Sequence, residues 1–115
     1  MTTSMNGFLE ATATLKAADG LAVGQAVKIS ANQTAAPCAA GNVPCGVCNE
    51  LRGGYAGVQL AGYAKLSYSG TAPAVGYTQL AADGNGGVKA TASGGKFYTV
   101  LEVDSAKSTL GLILY

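Results

Sequence analysis

An alternation constrains this chain more than any other feature. Between Gly54 and Gly70 the even positions read Ala56, Val58, Leu60, Gly62, Ala64, Leu66 and Tyr68, and the odd positions Tyr55, Gly57, Gln59, Ala61, Tyr63, Lys65 and Ser67. One parity is apolar and the other mostly polar, the period of a strand with one buried face. The run is more than twice the usual ~5–6 residues of a strand, so a bend is expected. Gly62, inside the apolar parity, is the place for it, as a bulge or kink that lets one strand serve two layers. The even face, Val58, Leu60, Ala64 and Leu66, is expected to supply core.

The rest of the chain repeats that pattern in shorter pieces. From Leu9 the residues Leu9, Ala11, Ala13 and Leu15 alternate with Glu10, Thr12, Thr14 and Lys16, and Asp19-Gly20 marks a turn. A strand comes next at Ala26 to Ala31, with Val27 and Ile29 inward and Lys28 and Ser30 outward. Residues 32–44, with Pro37, Gly41-Asn42 and Pro44, read as a long loop. Further strands are expected at Gly46 to Leu51, Tyr77 to Ala81, Val88 to Ala92, Phe97 to Val103 and Leu110 to Tyr115. The last, LGLILY, is apolar on both parities and is expected to be central. Apolar residues nowhere recur at helical spacing over three turns. The fold class is therefore all-β: a small barrel or sandwich of about seven or eight strands with little or no helix. Residues 1–8 are set apart as a flexible arm and 9–115 as one domain. One internal echo is faint, and coincidence in so Ala- and Gly-rich a chain is its other reading. Ala22-Val23-Gly24 precedes the second strand and Ala74-Val75-Gly76 precedes the strand at Tyr77, as approach turns of two half-modules would.

Composition narrows the function classes. Of 115 residues, 49% are hydrophobic but 17 are glycine, so the core is built from small side chains and oligomerisation is a natural supplement. Only 11% are charged, against a usual ~25%, which suits a surface packed against other proteins. A net charge of +1 without a basic cluster argues against nucleic acid. No apolar run approaches the ~18 residues of a membrane span, and the first residues lack the pattern of a secretory signal.

Catalytic chemistry is not legible. There is no histidine, which removes the commonest general base and metal ligand and the triads built on it. The acids Glu10, Asp19, Glu50, Asp83, Glu102 and Asp104 are scattered over turns and strand faces. Cys38, Cys45 and Cys48 fall close together, the last two as a CxxC. A metal site would need a fourth ligand, and a redox pair a helix N-terminus. Unpaired thiols in a reducing compartment are the favoured reading, with a disulfide from Cys38 to Cys45 or Cys48 as the alternative. The glycine clusters at 84–87 and 94–95 do not complete a phosphate loop and read as turns. Tyr55, Gln59 and Tyr63, on the odd face of the long strand, are the subunit-contact candidates, cross-strand packing within the domain being the other possibility.

The element Leu21-Ala-Val-Gly24-Gln-Ala-Val27-Lys-Ile29, the strand start Cys45-Gly46-Val47 and the strand VQLAGYAKL from Val58 to Leu66 carry a resemblance. Together with the polar N-terminal arm and the apolar C-terminal strand, they make the chain similar to the head decoration, or capsid cement, proteins of tailed bacteriophages. The resemblance covers most of residues 20–115. It implies a β-tulip-like barrel without enzymatic activity or cofactor, seated as a homotrimer on the outside of the head, a virion protein assembled in the host cytoplasm. The implied partners are the major capsid protein and the chain itself, with neither nucleic acid nor membrane. Carried over to this sequence, the capsid-contact arm is Thr2, Thr3, Ser4, Met5, Asn6, Gly7 and Phe8, with Phe8 its apolar anchor. The alternative class is a carbohydrate- or receptor-binding β-sandwich on a virion surface, against which the absence of tryptophan counts.

Overall fold

The computed structural model describes residues 11–114; the arm at residues 1–8, Leu9, Glu10 and Tyr115 lie outside the described residues. The described chain is all-β, with nine strands and no helix. They are β1 (Ala11–Ala17), β2 (Ala26–Ala31), β3 (Thr34–Pro37), β4 (Gly46–Arg52), β5 (Tyr55–Ser67), β6 (Gly76–Ala82), β7 (Val88–Ala90), β8 (Lys96–Asp104) and β9 (Thr109–Leu114).

The strands close two rings that share β5. In the first, β1 pairs with β3 in parallel, β3 with β2, β2 with β4, β4 with the first half of β5, and that half of β5 returns to β1. In the second, the other half of β5 pairs with β9, β9 with β8, β8 with β6 and β6 with β7. A single parallel bridge, Tyr68 to Val88, brings β7 back to the end of β5. Each ring thus has five strands, and the molecule is flattened to 37 × 35 × 23 Å, as two small barrels side by side would be.

The two rings are copies. β1, β2, β3, β4 and the first half of β5 correspond in order and pairing to the second half of β5, β6, β7, β8 and β9. The correspondence extends to detail. Cys48 opposes Val58 and Glu50 opposes Gly57, with Asn49 bulged between; Val100 opposes Leu112 and Glu102 opposes Gly111, with Leu101 bulged between. Ala18 donates its N–H to Ala35 as Ser69 donates to Val88, at 2.8 and 3.0 Å. Ala-Val-Gly leads into β2 at residues 22–24 and into β6 at residues 74–76. A half-length unit has too little interior to stand alone. The first core holds Val27, Ala35, Cys48, Ala56 and Val58, flanked by Leu15, Ala17 and Leu21. The second is larger, around Leu80, Tyr98, Val100, Leu110 and Leu112, and it also takes in Ala26, Cys38 and Val47 from the back of the first ring. Tyr98, 1% exposed, ties the copies together by donating its hydroxyl to the Pro44 carbonyl at 3.1 Å.

Four expectations are corrected. Residues 34–37 are not loop: β3 lies between β1 and β2, and its Ala35 and Ala36 are buried. The strands accordingly number nine rather than seven or eight. Ile29 is not inward but 51% exposed, because the β2–β3 register skips between Ile29 and Ala31 and ends the regular pleat there. Leu60 is not core but 37% exposed, while Gln59 is 3% exposed. The cause is a bulge: Ala11 opposes Ala61 and Thr12 opposes Gln59, so Leu60 is the extra residue. Since the side-chain period is two, one extra residue moves the remainder of the strand to the other face. Ala56 and Val58 therefore point into the first core, and Ala64 and Leu66 into the second. Gly62, at φ +93°, completes the change of direction next to the bulge, as the bend expected there. β9 is central, as its apolar run suggested, between β5 and β8.

Candidate interaction face

The duplication singles out one face. Across the first ring, Ala26 opposes Val47, Val47 opposes Gln59 and Gln59 opposes Thr12. Across the second, the equivalent row is Tyr77, Thr99, Ile113 and Tyr63. In the first copy Ala26, Val47 and Gln59 are buried, and the two apolar ones pack into the core of the second copy. In the second copy no described residue covers the Tyr77 end of the row. Tyr77 is 69% exposed and Phe97 43%, their rings stacked at 4.9 Å and 18°. Val75 and Leu101 extend the exposed apolar surface along β6 and β8. A stacked aromatic pair held on a sheet is a rigid anchor of the kind that binding interfaces use, its ordering cost already met.

The three candidates on the odd face of β5 have three different fates. Tyr63 stands at the end of the exposed row, half-buried, with its ring laid across Gly111 and its hydroxyl donating to the Glu102 carboxylate. Burial, the hydrogen bond and the carboxylate charge together push its pKa up to about 12. Tyr55 is exposed but lies on the first ring, where it opposes Lys16 and Arg52, away from Tyr63's row. Gln59 is corrected outright as a surface contact. It faces the junction of the rings, donates to the Tyr63 and Ala61 carbonyls at 2.7 and 3.1 Å, and accepts from Asn49. A buried amide with its donors used is a structural joint, not a partner contact. The arm candidates, Thr2 to Phe8, lie outside the described residues.

Tyr77, Phe97 and Leu101 were not singled out as a site by the sequence. In FYTVLEV both parities are apolar, so periodicity cannot say which side faces out. Only the pairing of β8 with β6 and β9 assigns Tyr98 and Val100 to the core and Phe97 and Thr99 to the surface.

The cysteines are all unpaired, Cys38 and Cys48 buried and Cys45 exposed. Burial raises the pKa of each thiol, that of Cys38 to about 11, so they stay protonated at neutral pH and are poor nucleophiles and poor metal ligands. Among the described residues no group of three or more His, Cys, Asp or Glu could hold a metal ion. Neither the protein-family models nor the curated proteins contain a match to this chain.

Proposed function

We propose that the chain is a capsid decoration protein of the tailed-phage type, which associates as a homotrimer on the outside of the head and bridges neighbouring major capsid subunits. One observation carries the reading: Tyr77, Phe97, Leu101 and Val75 are exposed on the second copy, whereas Ala26, Val47 and Gln59 in the corresponding row of the first copy are buried. A large apolar surface on a chain with so few charges is the mark of an interaction face. The low charge and the resemblance to cement proteins carried by short motifs over most of residues 20–115 support the same role. Three modest footprints joined in one trimer also bind far more tightly than one.

The test is native mass followed by sedimentation with expanded, empty phage heads. A trimer that co-sediments with the heads, and loses that binding in the double variant Tyr77→Ser/Phe97→Ser, is expected. A stable monomer that ignores the heads and instead binds glycans saturably would sink the reading in favour of a carbohydrate-binding module.

A further inference from the structure

The two copies differ at one place where the second shows what the first lacks. In each, a strand glycine opposes a glutamate on one side and a β1-type residue on the other: Gly57 between Glu50 and Thr14, Gly111 between Glu102 and Lys65. In the second copy the Tyr63 ring covers Gly111, which is buried, and its hydroxyl donates to Glu102. The residue equivalent to Tyr63 is Thr12, which opposes Gln59 as Tyr63 opposes Ile113. Thr12 meets Gly57 only with its methyl, 3.8 Å from where a Cβ on that glycine would stand, and Gly57 stays partly exposed.

An open slot results. A cavity of about 300 Å³ over the first ring is lined by Thr14, Glu50, Arg52, Tyr55, Ala56 and Gly57. Its counterpart in the second ring measures about 140 Å³, and Gly111 is not part of its lining, because the tyrosine lies there. The Glu50 carboxylate is exposed, with the Arg52 guanidinium 3.5 Å away. Floor, acceptor and flanking strands match those that hold Tyr63; the second ring has Asp104 where Arg52 stands, and among the described residues no ring lies on Gly57.

We infer that this slot is a binding site for a tyrosine side chain of a partner protein, whose ring lies on Gly57 and whose hydroxyl donates to Glu50. The chain itself supplies the template, in the ring that rests on Gly111. A glycine floor lets an aromatic face approach the backbone closely, and an ionised acceptor favours tyrosine over phenylalanine. The inference does not depend on the partner being a phage shell.

The site is testable by NMR titration with N-acetyl-tyrosinamide and N-acetyl-phenylalaninamide. Saturable amide shifts centred on Thr12, Glu50 and Gly57 are expected with the tyrosine compound, and about tenfold weaker binding with the phenylalanine compound, the usual worth of a hydrogen bond to a charged group. Gly57→Ala is the decisive variant. Its methyl would meet nothing closer than the Glu50 Cβ at 3.5 Å, so the thermal midpoint is expected to hold while binding is lost. Glu50→Ala should equalise the two compounds. Thr12→Tyr should fill the slot from within, abolish binding and add a second late-titrating tyrosine. Equal affinity for the two compounds, no shifts at Gly57 and Glu50, or full binding by a folded Gly57→Ala variant would overturn the assignment. A change of native mass in Gly57→Ala would overturn the choice of occupant, by giving the slot to a second copy of the chain.

Discussion

At the scale of single residues, the same residue type is dispensable in one copy and required in the other. A methyl added at Gly111 runs into the Tyr63 ring, with the nearest ring carbons at 2.7 and 2.8 Å. Gly111→Ala therefore has to displace that ring and its bond to Glu102, at a cost of about 1–3 kcal/mol in chemical denaturation. Tyr63 also makes a pH prediction. Its pKa is raised from 10.0 to about 12 in the folded state, so the neutral phenol is favoured by folding. The stabilisation is complete below the unfolded value and is lost as pH climbs through the folded one. Tyrosinate absorbance should contain a late-titrating component, and Tyr63→Phe should diminish it. The thiols give a third check. Cys45 alone is exposed, so one thiol per chain should react with an alkylating reagent in the native state and three in denaturant. At this scale the sequence was informative about what is absent, such as histidine, and silent about Gln59, whose inward turn depends on a bulge. Tyr63 was legible as a surface residue of β5, but its partner Glu102 lies on a strand far along the chain.

Elements were legible where one face is solvated and illegible where it is not. β1 and the two halves of β5 announced themselves by alternation, and the turns between them by Asp-Gly and Gly-Gly. β3 did not, because its two buried residues, Ala35 and Ala36, are neither β-branched nor aromatic and it ends in proline; it becomes a strand only when β1 and β2 supply hydrogen bonds on its two edges. For β5 the alternation was correctly read as apolar along its whole length, yet it was one parity serving two opposite interiors. The close passage of β4 over β5 gives a prediction at this scale. A Cβ on Gly46 would collide with the backbone carbonyl of Gln59 and stand 2.9 Å from the Val58 side chain. Backbone cannot step aside as a side-chain tip can, so Gly46→Ala should cost about 3 kcal/mol, the upper end for overpacking, read as a fall in the denaturation midpoint.

For the whole molecule, the duplication explains the economy of the fold and points to its exposed face. The first copy is thinly packed with alanine, valine and cysteine, and gains stability by laying its back against the second. The second copy turns the matching back outward and arms it with Tyr77, Phe97 and Leu101. Little of this was visible beforehand, since the copies share few identical residues beyond the Ala-Val-Gly turns, Glu50 and Glu102, and Gly57 and Gly111; what they share is pairing, which side chains record poorly. The hydroxyl of Tyr98 reaching Pro44 links the halves, so Tyr98→Phe should cost about 1–3 kcal/mol by stranding a buried carbonyl, and a single cooperative transition should survive.

The shared strand has a kinetic consequence. Between Tyr55 and Gln59, β5 is bonded to β1 along one edge and β4 along the other, while its continuation closes the second ring through β9. No local fraying frees its amides, since releasing either edge opens a barrel. Hydrogen exchange should find its slowest amides at Ala56 to Gln59, protected to the free energy of global unfolding. The edge of β7, joined to β5 by one bridge, should exchange first, so that the molecule breathes at its second seam while its common strand stays shut.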